Sequence, residues 1–142
     1  MSAEPVLVIA NRNYSSWSLR PWLAMRGCGI AFRERQVLFG ADFAAEVRAI
    51  SPAGRVPVLL ADDQVIWDSL AIIEYLAETY PDHGIWPREA RARALARSIC
   101  AEMHAGFGSL RQQMPMNIEA RLPGRGWNLA VQADIDRMKR ER

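Results

Sequence analysis

The first apolar run, Val6-Leu7-Val8-Ile9-Ala10, is short and β-branched, and it reads as a buried strand. Residues 17–27 or so then predict a helix with apolar positions Leu19, Trp22, Leu23 and Met25, with Gly27 and Gly29 marking its end. Pro21 limits where that helix starts. A proline fits the first turn, whereas deeper in it clashes with the carbonyl four residues back, here that of Trp17. The helix should begin near Trp17 or Ser18, leaving Ser15 and Ser16 in the preceding loop or at the N-cap. Phe32 to Phe39 alternates bulk with charge and predicts a strand with one wet face. Residues 42–49 predict a short helix with Phe43 and Val47 on one side, and Ser51-Pro52-Ala53-Gly54-Arg55 is a turn by composition. Two β-rich runs, 56–61 and 64–67, flank Asp62-Asp63 as the arms of a hairpin. A helix follows from Ser69, with Leu70, Ile73, Leu76 and Tyr80 as its stripe.

The pattern changes after the break from Pro81 to Pro87. Leu95, Ile99, Met103, Phe107, Leu110 and Met114 recur at helical steps and predict one long amphipathic helix, ended by Pro115. Pro123-Gly124-Arg125-Gly126 is a loop, and a second helix begins after Trp127 with Val131, Ile135 and Met138 as its stripe. The predicted order is βαβαββα and then helices. This divides the chain into an α/β domain over 1–81, a linker over 82–87 and a helical domain over 88–142.

Composition narrows the class. Half of the 142 residues are hydrophobic, enough for a real core. The net charge is +2 and the arginines are interleaved with acids, which argues against a dedicated nucleic-acid surface. Cys28 and Cys100 lie far apart without a C-x-x-C, so neither a dithiol nor a metal site is signalled, and both thiols are expected buried and reduced. The N-terminus shows no export signal, and no apolar run nears the ~20 residues that span a membrane. A cytoplasmic protein without membrane or nucleic-acid partners is expected.

The chemistry concentrates in Asn13-Tyr14-Ser15-Ser16-Trp17-Ser18-Leu19-Arg20. Hydroxyls there sit where a strand turns into a helix, beside free backbone N–H groups, and such a place holds an anion. A thiolate is one such anion.

Several segments resemble the glutathione transferase superfamily. Ser15-Ser16-Trp17-Ser18-Leu19-Arg20 is similar to the Ser-Ser-Cys-Ser-x-Arg motif of its zeta class. Arg55-Val56-Pro57-Val58-Leu59 resembles the family's (Lys/Gln)-Val-Pro-x-Leu segment, whose proline is cis. Asp68-Ser69-Leu70-Ala71-Ile72 resembles its (Glu/Asp)-Ser-x-Ala-Ile motif. Ala101-Glu102-Met103-His104 with Met114-Pro115-Met116-Asn117 looks like a bacterial subgroup. Each motif alone is weak, but three in order at the expected separations are specific, and together the segments span nearly the whole chain.

The resemblance implies a thioredoxin-like N-terminal domain followed by an all-α domain, with glutathione as co-substrate. It assigns the thiol-activating hydroxyl to Ser15, with Ser16 as the fallback. A free thiol titrates near ~8.5, and lowering that by about two units requires roughly 2.7 kcal/mol of preference for the thiolate. A donating hydroxyl and a helix N-terminus are the means. It further implies that Val56 and Pro57 pair with the cysteinyl backbone and that Arg55 meets the glycyl carboxylate. Ser69 with its helix amides would take the γ-glutamyl carboxylate, Asp68 the α-amino group, and Trp17 a place beside them. Met103, His104, Phe107 and Met114 are implied to wall an electrophile pocket.

There are three departures. Trp17 stands where the zeta class has cysteine, and the chain stops while the second helix of the helical domain is under way. It also lacks the family's late Ser/Thr-x-x-Asp capping element. The resemblance therefore implies an incomplete all-α domain, a shortened form, and a homodimer that covers apolar surface. Three functions compete. They are conjugation of glutathione to a small electrophile, a non-catalytic glutathione-binding or partner module, and a glutathione-dependent isomerase of the maleylacetoacetate type.

Overall fold

A computed structural model describes residues 4–140; residues 1–3 and 141–142, the outer ends of the two expected domains, lie outside the described part. The order is β1 (Val6–Ile9), α1 (Ser16–Gly27), β2 (Arg33–Gln36), α2 (Phe43–Ile50), β3 (Val58–Ala61), β4 (Gln64–Trp67) and α3 (Ser69–Thr79). The strands form one sheet in the order β2-β1-β3-β4. β1 and β2 run parallel, and β3 is antiparallel to both β1 and β4. This is the predicted βαβαββα unit, a thioredoxin-like arrangement.

Side-chain alternation along the strands sorts the core into two layers. Leu7, Ile9 and Leu59 meet Met25, Ile72 and Leu76 on the face covered by α1 and α3. Val8 and Val58 meet Val37 and Val47 on the face covered by α2. A slip of one residue would exchange the two sets, so the register is strongly specified. The two-residue turn between β3 and β4 pairs Ala61 with Gln64, and Asp62 turns it with φ 50°.

Several expectations need correction. β2 is shorter than the run 32–39: Phe32 and Val37 are buried beyond its ends, and Leu38 and Phe39 stand out at 65% and 53% exposure. α1 starts at Ser16, one residue early, so Pro21 sits in its second turn and offers no N–H to the Trp17 carbonyl. Its buried face is Ser18, Pro21 and Met25, while Leu23 points outward. In α3 the buried stripe is Ser69, Ile72 and Leu76. Leu70 and Ile73 instead face a cavity shared with the next helix, because α3 is covered on two sides.

The long C-terminal helix is two helices, α4 (Ala90–Ala105) and α5 (Gly108–Gln113). Gly106 ends α4 in an extended conformation, and a Cβ there would lie 2.9 Å from the Glu102 carbonyl oxygen. Phe107 then takes φ 60° with its ring buried. Partners elsewhere stabilise the break. Asp134 accepts the Leu110 N–H at 2.9 Å, and Arg111 donates to the Met103 and His104 carbonyls at 2.8 and 3.4 Å. Helical spacing could not reveal these contacts because they arise only after folding. α6 (Leu129–Lys139) is capped by Asn128 and buries Val131.

Candidate functional site

The loop from β1 to α1 places the serines. Ser15 is the N-cap of α1, accepting the Ser18 N–H at 3.4 Å and donating to Ser18 Oγ at 2.8 Å. Ser18 Oγ also accepts the Ala10 N–H at 3.2 Å, so the buried Ser18 fastens the end of β1 to the cap. Among the described residues Ser16 bonds through its backbone alone, its N–H to the Tyr14 carbonyl at 3.0 Å.

The start of α3 contributes the second part. Asp68 is its N-cap, with φ 75°, a conformation that is costly for any residue but glycine. One carboxylate oxygen accepts the N–H groups of Leu70 and Ala71, and the other lies 3.3 Å from His104 Nε2. Asp68, not Ser69, therefore serves as the cap. Ser69 is 2% exposed and its hydroxyl has no partner. The third part is the turn before β3, where the Val56–Pro57 peptide bond is cis.

These parts enclose a cleft of about 400 Å³ lined by Trp17, Arg55, Val56, Pro57, Asp68, Ser69 and His104, together with Trp67 and Ala53. Trp17 is held on several sides. The Arg20 guanidinium lies 4.0 Å from its ring centre, that of Arg111 5.1 Å, and the His104 ring meets it edge-on at 5.1 Å. Burial, then the neighbouring Arg111 charge, lowers Arg20 below the usual arginine range, yet a guanidinium keeps its charge at neutral pH. Two fixed cations thus stand behind the wall of the cleft and favour an anionic ligand.

The structure does not gather all the expected residues. Ser15 borders a separate apolar pocket of about 210 Å³ with Ile9, Leu19, Trp22 and Ile118 and does not line the cleft. Of the expected electrophile wall, Met103 and His104 share a third cavity with Ser69 and Cys100. Phe107 is buried at the α4–α5 break, and Met114 lines a different hollow beside Tyr14. The four therefore do not form one wall, because the helix expected to align them is broken. Burial pushes the Cys100 thiol up, with Arg20 acting in the opposite direction, so Cys100 stays protonated beside the site. Sequence reasoning missed Trp67 and Arg111, and it named Arg20 in the motif without a role. Trp67 directly precedes the Asp68-Ser69 pair and could have been found by adjacency; Arg111 reaches Trp17 only because the chain turns at Gly106.

Comparison with known proteins fits this arrangement. Residues 14–79 match the family model described as the glutathione S-transferase N-terminal domain. A probable maleylacetoacetate isomerase of Caenorhabditis elegans is 36% identical over 107 residues, covering 75% of this chain and 50% of that protein. A maleylacetoacetate isomerase of Rhizobium meliloti is 39% identical over 110 residues, covering 73% and 51%. A Burkholderia glutathione transferase homologue with bound glutathione superposes with a TM-score of 0.73 at 24% identity, covering 96% of this chain and 64% of that one. The chain belongs to the glutathione S-transferase superfamily. Within it the chain is zeta-like, and it spans about half the length of the curated relatives it matches. Among the described residues no helix is long and apolar enough to cross a membrane.

Proposed function

We propose that the chain binds glutathione in the cleft between α1, the cis-proline turn and α3, and that it promotes attack of the thiolate on a small electrophile. The observation that carries this reading is the Ser69 hydroxyl, which is 2% exposed, unpartnered, and set at the N-terminus of α3 on the wall of the cleft. A buried hydroxyl without a partner calls for one, and a carboxylate at a helix N-terminus supplies it. In this reading the γ-glutamyl carboxylate is that partner, and the second oxygen of Asp68, which lies 3.3 Å from His104 Nε2, takes the α-amino group as a further partner. Val56 offers its backbone to the cysteinyl unit as a strand edge would, and the exposed Arg55 meets the glycyl carboxylate.

Ser15 is the thiol-activating hydroxyl in this reading. Hydroxyl protons rotate, so Ser18 can donate to Ser15 while it accepts from Ala10. That reversal leaves the Ser15 proton for the sulfur. Ser16 is the second reading, favoured by its lack of a side-chain partner. The curated relatives described as maleylacetoacetate isomerases support a related reading, a glutathione-dependent isomerase of the maleylacetoacetate type. A non-catalytic binding module is the alternative if glutathione binds without turnover.

The work of the protein is detoxification of electrophiles in a reducing compartment, the cytoplasm. Its two free thiols, Cys28 and Cys100, support that placement. It acts as a homodimer, a reading supported by the exposed Val65 and Trp67 on the edge strand β4 and the exposed Leu95 on α4. The N-terminal part through residue 81 is the glutathione domain, 82–87 the linker, and 88–142 a helical domain. The test is calorimetric titration with glutathione, then a conjugation assay with an aryl halide. Ser69→Ala is expected to weaken glutathione binding at least tenfold, the worth of a hydrogen bond to a charged group. Equal affinity in the variant would contradict this assignment.

A further inference from the structure

Asp68 is the acid in the wall of the cleft, and its two carboxylate oxygens have different work. One is taken up by the cap of α3, where it accepts from Leu70 and Ala71. The other pairs with His104 Nε2 at 3.3 Å and with no other side chain among the described residues. Arg20 and Arg111 do not reach it as ion-pair partners, because both guanidiniums stand against the Trp17 ring.

His104 is anchored independently of Asp68. It belongs to α4, in the helical part of the chain. Its ring meets Trp17 edge-on at 5.1 Å, and its carbonyl accepts from Arg111 at 3.4 Å, close to where α4 ends. Its Nδ1 is buried without a partner, so Nε2 is the ring nitrogen with a polar neighbour. A carboxylate only accepts, and the imidazole proton facing Asp68 is therefore on Nε2. The Asp68 side chain nevertheless stays 45% exposed, and an ionised oxygen takes more than one donor. His104 thus restrains the carboxylate from one side and leaves it open on another.

We propose that His104 is a positioning residue for glutathione: by holding the second oxygen of Asp68, it aims that oxygen at the α-amino group of the γ-glutamyl unit. The inference rests on the glutathione reading above. It adds that recognition of the γ-glutamyl end is completed from α4: the α/β part supplies the acid, and the helical part supplies the group that orients it. A carboxylate restrained before binding has less freedom to lose when the ligand arrives, so orientation is read as affinity.

The probes are glutathione and its glutaryl analogue, which lacks the α-amino group and keeps the neighbouring carboxylate, titrated calorimetrically against the whole chain. Each comparison is a ratio of two affinities within one preparation, so incomplete folding of a variant cancels. The parent is expected to bind glutathione about tenfold more tightly than the analogue, the worth of a hydrogen bond between charged groups. His104→Phe keeps a ring against Trp17 but offers no N–H. It should cut that ratio to about threefold and change the affinity for the analogue less than about twofold. His104→Gln restores a donor and should return most of the ratio, whereas His104→Asn, whose amide ends short of Asp68, should not. Imidazole nitrogen NMR of the unmodified chain, with His83 as reference, should show His104 Nε2 moving further with glutathione than with the analogue.

Equal weakening of both ligands in His104→Phe would reduce the residue to packing and overturn the proposal. Tighter glutathione binding by that variant would also overturn it, because the imidazole would then be competing with the α-amino group for Asp68. Equal movement of the Nε2 resonance with the two ligands would do the same. A parent that binds both ligands alike does not read the α-amino group, which overturns this inference and leaves the cleft assignment standing. A parent that binds neither overturns the glutathione reading and this one with it.

Discussion

Ser15 carries two roles that can be separated. As the N-cap of α1 it satisfies the Ser18 N–H, and through Ser18 it is tied to Ala10 at the end of β1. Ser15→Ala should therefore cost about 1 kcal/mol of stability, as other cap losses do, even before any ligand is added. Ser16→Ala removes no side-chain hydrogen bond among the described residues and should melt within about 0.5 kcal/mol of the parent. Paired thermal melts check this, and equal melting of the two variants would show that the cap contributes nothing. At this scale the sequence was informative about identity and weak about direction. It marked Ser15, Asp68 and Ser69, but which of the last two capped the helix depended on Asp68 adopting φ 75°. That choice is fixed by the contact with His104, 36 residues further along the chain.

At the scale of elements, Glu34 holds β2 to its surroundings. Its carboxylate accepts from Trp22 Nε1 on α1 at 3.0 Å and pairs with Arg12 and Arg26 at 2.6 and 3.3 Å. The Trp22 hydrogen bond, then the two arginines, holds this carboxyl below the usual glutamate range against the opposing effect of burial. A folded-state value below the unfolded one means that the stabilisation is present above the unfolded value. It is lost as pH falls through the folded one. Glu34→Gln should lower stability near neutrality by about 1 kcal/mol, or roughly 3 °C in Tm. The gap should close in acid, and a gap independent of pH would contradict the account. β1, β3, β4, α2 and α6 were legible because their apolar periods answer to a core formed nearby, whereas β2 keeps its buried residues beyond its ends and α1 and α3 bury other faces than expected. The α4–α5 break was not legible. Its stripe continues through Phe107 without interruption, and Gly106 alone is a weak signal inside a helix. The turn is made by Asp134 and Arg111, which reach it from outside the segment.

For the whole molecule, the motif order carried the family assignment, and the sheet order and the match over residues 14–79 agree with it. The sequence also marked the lining of the cleft proposed for glutathione, since Trp17, Arg55, Val56, Pro57, Asp68 and Ser69 all border one pocket. Met103, His104, Phe107 and Met114 were expected to stand together on one continuous helix, and the break at Gly106 separates them. Exposed apolar residues on β4 and α4 predict association of two copies. Sedimentation velocity should give about twice the mass of 16.0 kDa at micromolar concentration, and a monomer at every concentration would contradict the dimer. The account stands or falls on the charge state of bound sulfur. Ultraviolet difference titration of the glutathione complex should show thiolate absorbance appearing about two units below the free thiol value of ~8.5, with Ser15→Ala moving it back toward that value. Absorbance that rises only in the alkaline range of free glutathione, in the parent as in the variant, would contradict it.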